Sequence, residues 1–364
     1  MKGLVCYVSG HGYGHASRVT EVLNTLHAHR PGVFVDIRTS VPRWFFEFNA
    51  SFPFTYTSSR LDVGAVQRDS LSVDPEATLR AYAAIAARAE ELLSAELRTL
   101  GAAPPSFVLA DIPALAVEVA KRLGVPAVAM TNFSWDWIYA DYTRDFPAYR
   151  HLVEELRALY AATSLLLRLP LHGDLSVFPH IRDIPFVARR ARLSRADVRR
   201  RLALPEVGHL VLLSYGGLGV ALRHSPTIPR GTTLVTSQPL FEGIETPWCR
   251  TVPTTVMRAA GVRYEDLLAA ADVVMTKPGY GIVAECIANA TPMIYTPRGR
   301  FAEYDCLVPG IAAHLPHAVL GNADLYAGQW REALENVLGL PRPRVTANVE
   351  GATAAAEALA SMLA

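Results

Sequence analysis

The strongest constraint on this chain is a rhythm. Short apolar runs alternate with longer stretches patterned at helical spacing, and the pattern breaks once and then starts again. "LVCYVS" reads as a strand and "HASRVTEVLNTLHAH" as a helix. "VFVDIRT" is strand-like again, and "PEATLRAYAAIAARAEELLSAELRTL" reads as one long alanine-rich helix. "FVLAD", "ALAVEVAKRLG" and "PAVAMTN" complete the series as strand, helix and strand. Strands that are apolar throughout, joined by helices, predict parallel sheets covered on both faces.

Prolines interrupt the rhythm in "LPLHGDLSVFPHIRDIP", a basic helix follows, and the alternation resumes with "HLVLLSYGGLG", "TTLVTS", "YEDLLAAADVVMTKPG", "GIVAECIANA" and "PMIYTP". The expected organisation is an α/β protein with two Rossmann-like domains facing across a cleft. The first spans 1–175 and the second 176–345, and a last helix within 346–364 packs back on the first domain. With 364 residues, 51% of them hydrophobic, two cores are affordable. A net charge of +1 gives no reason to expect nucleic acid as a partner. No secretory signal pattern and no apolar run of membrane-spanning length appear. The four cysteines form no CxxC. Together these predict a cytoplasmic protein with buried, reduced thiols.

In such sheets ligands bind at the carboxyl ends of the strands. Two strand-to-helix turns therefore stand out. "SGHGYGHASR", residues 9–18, combines three glycines with two histidines. The glycines let a ligand approach backbone, and the helix after them offers free N–H groups. Histidine is the side chain most easily poised as a base near neutral pH. His15 is the candidate base, with His11 in reserve. Asp111, ending "SFVLAD", would either orient that imidazole or simply cap the helix after it. The second turn is "TKPGYGIVAE". Here Lys277, Gly279, Tyr280 and Gly281 open a helix start suited to a diphosphate, and Glu285 lies one turn in, where it would meet sugar hydroxyls. Gly216 and Gly217 of "SYGGLG" would close over the same phosphates.

The order Lys277, Gly279, Gly281, Glu285 resembles the donor motif of GT-B glycosyltransferases, and "GYGH" resembles the acceptor loop of MurG-type and plant enzymes of that class. "SGHGYGHASRVTEVLNTL", "LDVGAVQRDSLSVD", "TNFSWDWIYADY" and "KPGYGIVAE" are similar, more closely, to the amino-terminal glycosyltransferase-like region of plant L-arabinokinases and bacterial relatives. The resemblance implies a GT-B fold, a nucleotide sugar, UDP-linked, as donor substrate, and a His15–Asp111 dyad. In the loop after the last donor strand it implies sugar contacts from Arg300 and Glu303, although carboxylates stand where amides are common. Retaining GT-B enzymes often place a glutamate where this chain has Lys277, so the comparison favours inversion.

Acceptor contacts are expected from Asp62, Gln67 and Asp69 in one loop and from Asn132, Trp135 and Asp136 after a strand end, each of which could equally be capping or core. The aromatic stretch "VPRWFFEFNASFPF" reads as helix packing or as a membrane contact. The arginines from 189 to 201 read as an exposed helix face. There is no DxD and no His/Cys ligand spacing, so neither metal nor cofactor is expected. The reading is an inverting, metal-independent hexosyl- or pentosyltransferase acting on a small or lipid-linked acceptor. A GT-B-shaped epimerase or hydrolase, or a sugar-nucleotide-binding protein without activity, is the alternative.

Overall fold

The computed structural model describes residues 3–216, 222, 225–237 and 246–363. Two parallel sheets form. The first contains β1 (Gly3–Val8), β2 (Phe34–Thr39), β3 (Thr55–Ser58), β4 (Phe107–Asp111), β5 (Ala127–Thr131), β6 (Leu165–Arg168) and β7 (Ile181–Asp183) in the order 3-2-1-4-5-6-7. The second contains β8 (His209–Ser214), β9 (Thr232–Thr236), β10 (Cys249–Thr251), β11 (Val273–Thr276), β12 (Met293–Tyr295) and β13 (His317–Val319) in the order 10-9-8-11-12-13. Both therefore reverse direction of build between their first strand and the fourth, the crevice where such sheets take ligands. β1, β4 and β5 are buried along their whole length, as strands covered on both faces must be.

The two halves share a core. The helix Tyr13–His29 buries Ala16, Val19, Val22, Leu23 and Leu26 along one face, and this face packs against the helices Tyr280–Ala288 and Gly351–Ser361. The latter is alanine-rich, which allows close approach; its Gly351 amide donates to the Phe186 carbonyl at 3.1 Å. A Cβ at Gly351 would meet the Pro185 carbonyl oxygen at 2.2 Å.

Two local expectations change. The long alanine-rich helix is two helices, Pro75–Ala86 and Ala89–Leu100, broken at Arg88 (φ −107°, ψ 11°). The break lets Leu79 and Tyr82 pack beside Trp135 while Leu93 and Leu100 turn to the β1–β4 face. The arginine run is not a uniformly exposed face. Arg189 is buried between Glu265 and Glu285, and Arg199 is buried against Asp272. In the aromatic stretch, Phe45 and Phe46 are core and Trp44 is half-buried. Cys6 and Cys286 are buried, and burial pushes both thiols up, as expected of inert cysteines.

Candidate active site

Register brings the first set of side chains together. Val8 pairs with Asp111, and the Ser9 amide donates to the Asp111 carbonyl at 3.0 Å, so the glycine turn leaves β1 directly beside the end of β4. The helix that follows starts at Gly12, with no side chain capping it. One turn in, His15 Nδ1 lies 3.0 Å from Asp111 Oδ1. Asp111 is fully buried, which would raise its pKa, but Arg18 and His15 outweigh burial and hold the carboxyl below the usual range.

Arg18, three residues after His15 and so on the same helix face, grips Asp111 with both arms of its fork: Nε to Oδ2 at 2.6 Å and an Nη to Oδ1 at 2.5 Å. Its other Nη donates to Asn132 Oδ1 at 2.9 Å. Asn132 in turn donates to Glu303 Oε1 at 2.9 Å, and Arg298 donates to Glu303 Oε2 at 3.2 Å. A continuous polar chain thus runs from the end of β4 to the loop after β12. The sequence reading missed both arginines. The signals were an arginine inside an otherwise apolar helical stretch and one after a proline at a strand end.

His11 is placed differently. Its Nδ1 accepts the Ala65 amide at 3.1 Å, which uses the only acceptor of the neutral ring. Burial, with Arg298, His15 and Lys277 alongside, pushes its pKa well below the ordinary value. It stacks on Phe301 and meets the edge of Trp135. The base role held in reserve for it has no free lone pair here.

On the other wall, β11 ends at Thr276, whose hydroxyl donates to the Ser214 carbonyl at 2.5 Å. The helix Tyr280–Ala288 then starts at Gly279 with no side-chain cap among the described residues, so its first N–H groups have no side-chain acceptor there. Gly281 meets Gly14 backbone to backbone: a Cβ at Gly281 would lie 3.0 Å from the Gly14 Cα. The two turns therefore face one another and touch. Lys277 is half-buried, and burial together with Arg298 pushes its pKa down to about 7. Its ammonium donates to Gln67 Oε1 at 3.2 Å. Arg298, buried beside the turn, lies over the Phe301 ring at 4.0 Å and has an Nε–H without a partner among the described residues.

The loop carrying Gln67 and Asp69 reaches across from the first half, with Leu71 buried among Leu213, Tyr215 and Met275 of the second. Asp69 accepts the Leu71 and Ser72 amides at 2.7 and 2.8 Å and shapes the loop tip. Arg300 ties the loop after β12 to the first half: Nε donates to Asp141 Oδ2 at 2.6 Å, and the guanidinium also pairs with Asp145.

Several expected contacts have no open face. Glu285 is buried and accepts from Arg189 Nε at 2.7 Å. Trp135 is fully buried, stacks on Tyr139 and donates its indole N–H to Asp62 at 2.9 Å, so both are core rather than a sugar platform. Asp136 holds Ser134 and Arg157 at its own helix start. Tyr280 is buried beneath Arg18, with the guanidinium 5.3 Å from its ring centre. Gly216 adopts φ +77°, and no described atom lies within 4 Å of where its Cβ would be; Gly217 lies outside the described residues. Among the described residues no cluster of His, Cys, Asp and Glu has the makings of a metal site, and no helix is long and apolar enough to cross a membrane.

No protein-family model matches the chain. It is 33% identical to an L-arabinokinase of Arabidopsis thaliana over 360 residues, 97% of this chain and 34% of that protein, so it spans about a third of that relative's length. Among solved structures it is similar to the calicheamicin glycosyltransferase CalG4 (TM-score 0.58, 15% identity, 100% of this chain and 98% of that one). It is also similar to the spinosyn rhamnosyltransferase SpnG (0.60, 15%, 99% and 95%) and to a UDP-glucosyltransferase from Polygonum tinctorium (0.60, 13%, 100% and 93%). The chain has the GT-B fold of these glycosyltransferases.

Proposed function

We propose that the protein is an inverting glycosyltransferase that moves a sugar from a nucleotide-diphosphate sugar, UDP-linked, to an acceptor hydroxyl. The observation that carries this reading is the contact of His15 Nδ1 with Asp111 Oδ1 at 3.0 Å, directly across from the uncapped helix start at Gly279. With Nδ1–H turned to Asp111, the Nε2 lone pair takes the acceptor's proton, and Asp111 stabilises the imidazolium that forms. The acceptor oxygen attacks the anomeric carbon from the face opposite the leaving diphosphate. The diphosphate's growing charge meets Lys277, the free Nε–H of Arg298 and the open N–H groups of the 280–288 helix. Gln67, at the join of the two halves, is the candidate for sugar hydroxyls, while Glu303 is buried with its oxygens taken by Asn132 and Arg298.

The test is a panel of nucleotide sugars, including UDP-glucose, UDP-xylose and UDP-arabinose, screened by thermal shift and then for transfer to sugar and phenolic acceptors. Specific stabilisation by one UDP-sugar and an anomerically inverted product are expected. Release of free sugar alone, or an epimerised donor, would replace transfer by hydrolysis or epimerisation.

A further inference from the structure

We infer that Arg18 is a positioning residue for His15, setting which ring nitrogen carries the proton and tying that choice to the donor-side loop; this rests on His15 being the base. Asp111 has two oxygens and three donors converging on them. Arg18 Nε takes Oδ2, and an Arg18 Nη and His15 Nδ1 share Oδ1. That Nη also lies 3.0 Å from His15 Nδ1. Nδ1 thus sits equally close to an acceptor-only carboxylate and a donor-only guanidinium, and the two demand opposite tautomers.

The fork decides between them. Both arms of the guanidinium are committed to Asp111, which pins the carboxylate plane and leaves Oδ1 with a lone pair for the imidazole N–H. If Arg18 turned by a small angle, its Nη would donate to Nδ1 instead, the proton would move to Nε2, and His15 could no longer accept from a substrate. What prevents the turn is the remaining Nη, anchored on Asn132, with the Tyr280 ring 5.3 Å from the guanidinium. Asn132 is itself held by Glu303 of the donor-side loop, and Glu303 by Arg298. The base is therefore correctly set only while the loop at 298–303 is docked. Lysine cannot reproduce this, because its ammonium is a point charge without the planar fork.

The experiment is a long-range proton–nitrogen NMR spectrum of the full chain labelled at histidine nitrogen. The His15 signals are identified among the eleven histidines by their loss in His15→Gln. The wild type is expected to show one tautomer, Nδ1–H. Arg18→Lys and Arg18→Gln, each checked for folding by circular dichroism, are expected to show both tautomers. A single Nδ1–H tautomer kept in either folded variant, or an Nε2–H tautomer in the wild type, would overturn the inference. With an active donor–acceptor pair, Arg18→Lys should lower kcat by roughly 10–10²-fold, a fraction of the roughly 10²–10⁴-fold that a general base contributes, at an unchanged donor KM. Unchanged kcat would also overturn it. Full turnover in His15→Ala would instead remove the base reading, and the tautomer spectra separate the two failures.

Discussion

The two glycine turns are alike in build and opposite in charge economy. Each leaves the central strand region of a parallel sheet, and each starts a helix at a glycine with no side-chain cap. Around the first, the polar groups of Asp111, Arg18 and Asn132 are all answered from within the protein. Around the second, a lysine is driven toward neutrality and a buried arginine keeps an unanswered N–H. A saturated site is preorganised and has little to gain from a ligand's charge. An unsaturated one is held at a cost that an arriving anion relieves. On the proposed reading, this difference goes with proton handling at the first turn and anion binding at the second.

The sharpest way to break that division is His15→Ala. Turnover should fall by about 10²–10⁴-fold while UDP affinity, read by calorimetry, stays within a few-fold. Asp111→Asn should act in the same direction, and the double variant should be no worse than His15→Ala, since both residues serve one proton transfer. A parallel loss of UDP affinity in His15→Ala would merge the two turns into one binding site.

Stability gives the next largest effect. Asp111→Ala strands the Arg18 guanidinium in the interior, and breaking a buried pair in this way costs about 3–5 kcal/mol. Urea unfolding should show this loss, whereas Lys277→Ala, which removes a poorly accommodated charge, should unfold at or above the wild-type midpoint. Equal destabilisation by both would mean that the second turn is as saturated as the first.

The same lysine sharpens the comparison in solution. Lys277→Ala should weaken UDP binding by about 1.5–3 kcal/mol, the range for hydrogen bonds to charged groups. With its pKa near 7, Lys277 is charged below that value and neutral above it. Wild-type affinity for UDP should therefore fall as pH rises from 6 to 8, with proton uptake on binding at the upper end. In Lys277→Met this slope should flatten; a slope that persists would place the titrating group elsewhere. The smallest effect belongs to Arg300, whose pairing with Asp141 and Asp145 is largely exposed. Arg300→Ala should change unfolding free energy by less than about 1 kcal/mol, and a larger loss would show that the clamp is needed to keep the turns facing.

The fold class was legible because short apolar runs alternate with helical stretches, but the proline-marked break does not end the first sheet, which takes its last strand, β7 (Ile181–Asp183), from within that break rather than stopping at residue 175. The glycine turns were legible because strand ends and helix starts are punctuated in the sequence. What was not legible is who pairs with whom across the halves. Nothing at Arg18 announces that its fork will close on a carboxylate 93 positions away, or that Asn132 will hand that pair on to Glu303, 171 positions further along. Glu285 fitted sugar hydroxyls by spacing alone, but spacing does not reveal that Arg189, buried, will pair with it. Trp135 read equally as platform or core, and the acceptor for its indole N–H, Asp62, decided the matter.

The helix Gly351–Ser361 lies on the helix Tyr13–His29, so the chain visits the first half, builds the second, and returns. During synthesis, the surface that receives this returning segment emerges long before its cover. At roughly 5–20 residues per second, the interval is on the order of tens of seconds. The nascent first half must spend that time with an apolar stripe bare to solvent, a window in which chaperones have something to grasp. Once the segment arrives, it packs its small residues on that stripe and ties the chain's last helix to its first.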